Sequence, residues 1–208
     1  MISKSWFCGI LMVAVVICGC SSEAVKEPAA QPKSETGEKP EAQPKTVKLK
    51  TTMGDIVIEL DEQAAPVTAK NFLTYVEDGF YDGTIFHRVI HKFMIQGGGL
   101  TPEMEKKQTR SPIVNEASNG LKNKRGAIAM ARQNAPDTAT SQFFINHMAN
   151  PGLDYVPDVE PGYAVFGKVI EGMDVVDAIA FVDTTSRAGR DNVPVKPVVI
   201  ESAKVVSP

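Results

Sequence analysis

The stretch Phe86-His87-Arg88-Val89-Ile90-His91-Lys92-Phe93-Met94-Ile95-Gln96-Gly97-Gly98-Gly99 decides how the chain is read. It divides into two short apolar runs, 85–90 and 93–96, closed by glycines. Each run has the length and composition of a β-strand. Arg88 does not fit a plain strand. It stands among Ile85, Phe86, Val89 and Ile90, and a guanidinium is almost never fully buried without a partner. Strict alternation puts Phe86 and Arg88 on one face, with His87 and Val89 on the other. Phe93, Met94 and Gln96 follow closely. The stretch therefore describes either an apolar recess with a fixed cation at its edge, or an edge strand whose arginine snorkels to water. Both readings stay open at this point.

The rest of the chain narrows them. Its 208 residues suffice for one domain plus extras. A formal net charge of −3 argues against a general nucleic-acid binder, which would carry a basic excess. Cys8, Cys18 and Cys20 all fall within the first twenty residues. No disulfide can staple the body, so its stability must come from an apolar core.

The N-terminus accounts for those cysteines. Lys4 supplies a positive start, and residues 7–17 form an apolar run too short to span a bilayer comfortably. The run ends Ile17-Cys18-Gly19-Cys20, which resembles a bacterial lipobox. On this reading residues 1–19 are a signal peptide and Cys20 is lipidated. The alternatives are an ordinary cleaved signal or an uncleaved anchor. Ser21-Ser22 follows, without aspartate at the second position. In Gram-negative lipoproteins that resembles the pattern sent to the outer membrane, so the expected location is the periplasmic face of that membrane. Residues 20–45 then read as a tether. They are Pro, Ala, Glu, Lys, Gln, Ser and Thr with no aromatic, and spaced prolines at 28, 32, 40 and 44 favour an extended chain.

A folded domain is expected over 46–208. Strands are read at 47–51 and 56–60 as a hairpin, then at 85–90, 93–96, 126–131, 142–146, 163–169 and 198–206. Helices are read near 65–79, with Pro66 and Gly79 as punctuation, and over 173–180. Many short strands and two helices suggest a mainly β fold, a closed β-barrel with helices on its ends. A barrel this small is filled by side chains, so a ligand site lies outside it or at a mouth.

Four segments carry a resemblance. Phe86-His87-Arg88-Val89-Ile90, Phe93-Met94-Ile95-Gln96-Gly97-Gly98, Gly126-Ala127-Ile128-Ala129-Met130-Ala131 and Ser141-Gln142-Phe143-Phe144-Ile145 resemble the cyclophilins in order and spacing. The likeness continues through Tyr163-Ala164-Val165-Phe166-Gly167-Lys168-Val169 and Gly172-Met173-Asp174-Val175-Val176-Asp177. Gly83-Thr84-Ile85-Phe86 and Asn115-Glu116-Ala117 resemble the compact bacterial members. The resemblance implies peptidyl-prolyl cis–trans isomerase activity on an eight-stranded antiparallel barrel capped by two helices, with no cofactor. It implies proline-containing segments as partners, and a monomer is expected.

Carried over position by position, the resemblance makes Arg88 the catalytic arginine. It puts Phe93, Met94 and Phe144 around the proline ring, helped by Leu153. Gln96 and Gln142 orient the peptide, and Ala131 lies along its backbone. Arg132 falls where eukaryotic members have a backbone-contacting asparagine, and Tyr163 where many place a histidine at the rim. Gly152 stands where cyclosporin-sensitive members have a large aromatic, within a longer loop. Phe143 is expected to face the core and Phe144 the site. The chemistry suits an arginine: twisting an X–Pro bond localises a lone pair on the prolyl nitrogen, and a fixed cationic donor stabilises that state.

His87 is expected to be a core histidine with satisfied nitrogens. No metal site is expected of His87, His91 and His147, which lack ligand spacing. The glycine run lacks the Lys-Ser/Thr of a phosphate loop and instead serves a tight backbone turn. Asp55, Glu59 and Glu116 are expected to be structural or solvated, and Asp174 and Asp177 to sit at a helix N-terminus. The competing function is a non-catalytic module that holds proline segments in the same groove.

Overall fold

The computed structural model describes residues 44–206. The segments read as signal, lipobox and most of the tether, Cys20 included, lie outside those residues. Ten strands and two helices follow in order: β1 (Thr46–Thr51), β2 (Gly54–Leu60), α1 (Pro66–Glu77), β3 (Thr84–Ile90), β4 (Met94–Gly97), β5 (Ala127–Met130), β6 (Phe143–Asn146), β7 (Val165–Glu171), α2 (Met173–Ala180), β8 (Thr184–Arg187), β9 (Arg190–Pro194) and β10 (Val199–Val206). Eight strands close into an antiparallel barrel in the order β1-β10-β3-β4-β6-β5-β7-β2. This is the expected barrel with its two helices. Among the described residues, no helix is long and apolar enough to cross a membrane.

Alternation builds the barrel interior. Val47, Leu49, Ile56, Ile58 and Leu60 point in from β1 and β2, while their neighbours are only partly buried or exposed. Phe143 and Ile145 on β6, Ile128 and Met130 on β5, and Ile95 on β4 join the same core. Phe72, Leu73 and Val76 of α1 and Val176 and Ile179 of α2 complete it. Phe72 packs edge-on to Phe143, with centroids 5.5 Å apart, and is tilted against Phe166 at 5.2 Å. Such pairs add to simple area burial.

Helix α1 starts at Pro66, but Ala65 offers no side-chain cap. Glu116, from a distant loop, replaces it. Its carboxylate accepts from Val67 N at 3.1 Å, Thr68 N at 2.7 Å and Thr68 Oγ1 at 2.6 Å. Glu116 is thus structural, as expected, and its charge suits a helix N-terminus.

Three expectations need correction. Phe86 and Arg88 do not share a face. Phe86 pairs with Gly97 and Arg88 with Gln96, so His87 is an extra residue in a β-bulge. The bulge resets the alternation: Phe86 and Val89 both enter the core, and Arg88 turns outward. Asp177 is not at a helix N-terminus, although Asp174 does lie in the first turn of α2. It sits inside the helix, where Arg125 grips both its oxygens at 2.8 Å and His147 Nε2 lies 3.2 Å away. Finally, β8 and β9 form a two-stranded hairpin packed beside β3, where no strand was expected.

Candidate active site

The outward faces of β3 to β7 carry a second apolar cluster. Met94, Ala127, Ala129, Phe144 and Val165 are buried there although they point away from the barrel interior. Ile90, Phe93, Leu121, Ala131, Leu153 and Tyr163 pack against them while remaining partly exposed. Strand register sets the order. Arg88 pairs with Gln96, Gln96 with Phe144, Phe144 with Ala129 and Ala129 with Val165. One cross-strand row therefore runs from a cation through an amide and an aromatic ring to a floor of small residues. Phe143 and Phe144 divide between core and site as alternation requires.

Arg88 is exposed at one end of this row. Its Nη1 donates to Gln96 Oε1 at 3.4 Å, and Gln96 Nε2 donates to Gln142 Oε1 at 3.0 Å. Arg88 has no carboxylate partner among the described residues. A neutral amide steers the guanidinium without cancelling its charge. The Gln142 side chain lies flat against Gly99, where a Cβ would come within 2.6 Å of Gln142 Cγ. Gly98 takes φ +80°, and a Cβ there would meet the Phe143 and Tyr81 rings at 2.8 Å. The glycine run thus serves close approach as well as turning.

Phe93 is set by backbone. Its carbonyl accepts from His147 N at 3.0 Å and from Asn150 Nδ2 at 2.9 Å. His147 holds the same turn from below: its Nδ1 accepts from Lys92 N at 3.0 Å while Nε2 faces Asp177. Burial lowers the His147 pKa, and the Arg125 guanidinium holds the Asp177 carboxyl below its usual range. His147 is therefore a tie between the β3–β4 turn and α2.

The longer loop at 148–162 fixes the far wall. Tyr163 N donates to Leu153 O at 3.0 Å, and Asn123 Nδ2 donates to the same carbonyl at 3.1 Å. This keeps Leu153 beside the cluster despite the added length. Gly152 sits on an exposed turn with nothing within 4 Å of a would-be Cβ. Tyr163 stands edge-on to Phe144, with centroids 5.6 Å apart, and the Arg132 guanidinium covers its ring at 4.4 Å. Arg132 also donates to the carbonyls of Gly162, Gln133 and Asn134, so it braces the rim. Ala131 N is taken by Gln142 O at 2.9 Å.

His87 departs from expectation. It is buried, but its Nδ1 has no hydrogen-bond partner. Burial and the neighbouring Arg190 lower its pKa to about 4, so the ring is neutral near pH 7. Val165 and Ile90 were not singled out from the sequence, because an outward position on a strand buried on both faces has the same pattern as a core position, and Leu121 lies on a loop with no apolar period to read.

The fold and this row agree with known proteins. A family model described as cyclophilin type peptidyl-prolyl cis-trans isomerase/CLD matches residues 46–205. A peptidyl-prolyl cis-trans isomerase of Streptomyces antibioticus is 58% identical over 163 residues, spanning 77% of this chain and 98% of the relative. Isomerase B of Escherichia coli is 52% identical over 161 residues, spanning 76% and 98%. The crystal structure of a cyclophilin type peptidyl-prolyl cis-trans isomerase of Cryptosporidium parvum, in the presence of the dipeptide Ala-Pro, aligns with a TM-score of 0.67 and 29% identity, over 78% of this chain and 99% of that one. With the matched region spanning the whole barrel, the chain belongs to the cyclophilin family and is a peptidyl-prolyl cis–trans isomerase.

Proposed function

We propose that the enzyme turns X–Pro bonds in exported polypeptides while tethered by a lipid on Cys20 to the periplasmic face of the outer membrane, with Arg88 as its catalytic residue. A planar amide resists rotation by about 18–20 kcal/mol, and an uncatalysed X–Pro bond exchanges in roughly 10–100 s. Twisting removes resonance and pyramidalises the prolyl nitrogen. A guanidinium aimed at that nitrogen stabilises the twisted state more than either planar isomer. Phe93, Met94, Phe144 and Leu153 clamp the proline ring, and Gln96, Gln142 and Ala131 hold the peptide beside it. Arg132 and Tyr163 shape the rim. The clamp also excludes water, which strengthens the arginine's field. No covalent bond changes, so the step asks for no base or nucleophile.

The observation that carries this reading is the row Arg88–Gln96–Phe144–Ala129, in which the cation has no carboxylate partner among the described residues. The test is NMR exchange on an Ala-Pro peptide with catalytic amounts of protein. Cis–trans exchange peaks are expected. Peptide binding without acceleration would support the holding module instead. The anchor rests on the lipobox-like Ile17-Cys18-Gly19-Cys20. Cys20→Ala should move the protein from membrane to soluble fractions, and unchanged fractionation would remove the lipid claim.

A further inference from the structure

The turn that delivers Phe93 to the clamp holds a residue poorly suited to it. Ile90, His91, Lys92 and Phe93 form a four-residue turn closed by Phe93 N donating to Ile90 O at 3.1 Å. Of its two central residues only Lys92 has a positive φ, +59°, the signature of a type II turn. That place favours glycine, because a Cβ is strained there. Rotating the peptide between His91 and Lys92 would convert the turn to type I and relieve the strain.

A group outside the turn holds that peptide in place. His147 Nδ1 accepts from Lys92 N at 3.0 Å, and this is the N–H of the peptide that would rotate. An acceptor at Nδ1 leaves the ring proton on Nε2, which faces Asp177 Oδ1 at 3.2 Å. Arg125 holds both Asp177 oxygens at 2.8 Å and donates to the His147 carbonyl at 2.6 Å. The ring is buried and pinned at both nitrogens.

We propose that His147 is a positioning residue for substrate binding: by capturing the Lys92 N–H it keeps the turn in its strained form, and so keeps the Phe93 wall in place against the proline ring. This rests on Phe93 lining the clamp as proposed above. The Phe93 carbonyl is tied to His147 N and Asn150 Nδ2. With that carbonyl fixed, a change at Lys92 is absorbed at the Phe93 Cα, which carries the ring. Arg88 and Gln96 lie outside the turn, so affinity changes while the rotation step does not. Protonating Nδ1 would turn the acceptor into a donor and release the turn. The charged and titratable groups facing the ring are Asp177, Arg125 and His91, whose ring centroid lies 5.4 Å away. Burial outweighs the Asp177 carboxylate and pushes the His147 pKa below its ordinary range. The ring is therefore a neutral acceptor near pH 7 and is lost as one in acid.

The test measures kcat and KM on an Ala-Pro peptide for the parent, His147→Leu, His147→Asn and Lys92→Gly, with His147→Leu also made in the Lys92→Gly background. His147→Leu should raise KM about fivefold with kcat little changed, a smaller loss than deleting the Phe93 ring. His147→Asn, whose Oδ1 can accept in place of Nδ1, should stay near the parent. Glycine at 92 lets the turn keep its form unaided, so His147→Leu should then cost less than about twofold. As pH falls from about 7 to 5, KM should rise in the parent and stay level in His147→Asn, which keeps His91. An unchanged KM in folded His147→Leu, or the same loss in the glycine background, would overturn the inference. If His147→Leu fails to fold, the acid rise in KM decides: it must appear in the parent and shrink in Lys92→Gly, and a flat parent profile or equal rises would overturn the inference. An unchanged KM in Phe93→Ala would overturn the clamp itself, a failure distinct from that of His147.

Discussion

Truncating Glu116 separates a structural carboxylate from a catalytic one. In Glu116→Ala, α1 loses the side-chain acceptor for its first free N–H groups, since Ala65 offers no side-chain cap. Loss of such a cap costs about 1 kcal/mol. The Thr68 hydroxyl, 0% exposed, loses its partner at 2.6 Å, and an unsatisfied buried hydroxyl costs about 1–3 kcal/mol. Together these give about 3 kcal/mol, or a fall in Tm of about 6–12 °C for a domain of this size. The assay is thermal unfolding at pH 7 beside isomerase kinetics well below the transition. The variant's kcat should stay within about twofold of the parent. A parental Tm would refute the capping argument. A parental Tm with activity abolished would instead make Glu116 a reacting group.

Two further outcomes follow from the site. Phe93→Ala removes much of one wall of the proline clamp. At about 25 cal/mol per Å² over part of an aromatic ring, substrate binding should weaken by about 1–2 kcal/mol, near tenfold in KM; an unchanged KM for an Ala-Pro peptide would contradict the clamp. His87 should make the fold acid-sensitive. Its pKa falls to about 4 in the fold from 6.5 in the unfolded chain, so the unfolded state binds the proton first. Stability is then complete above about pH 6.5 and declines as pH drops toward 4, by about 3 kcal/mol in full. Urea unfolding at pH 7 and 4.5 should show a larger acid loss for the parent than for His87→Asn, and equal losses would contradict the assignment.

The barrel was legible because β1 and β2 alternate cleanly and the other strands are short apolar runs bounded by turns, and α2 because an amphipathic run follows Gly172. The bulge was not legible. Nothing in Phe86-His87-Arg88 marks an extra residue, and Arg88 reached its outward face only because Gly97 and Gln96 pair on either side of His87. The β8–β9 hairpin escaped because Thr184–Arg187 is exposed throughout and has no apolar period to read. Glu116 was recognisable as structural, but its partners lie 48 and 49 residues away and only folding brings them together. In the site, residue types and the Phe143–Phe144 split could be read from the motifs. The supporting layer could not. Arg125, His147 and Asp177 meet from three separate segments, and Arg132 is drawn to the loop carbonyls because Tyr163 offers it a ring to stack on.

The most direct measurement compares cis–trans isomerisation of one Ala-Pro peptide by the parent and by Arg88→Ala, with both shown to be folded by thermal unfolding. Losing one preorganised donor in a desolvated site predicts a fall in kcat/KM of about two orders of magnitude, or about 3 kcal/mol, with the barrel's Tm little changed. A folded Arg88→Ala protein that isomerises the peptide at the parental rate would contradict the account.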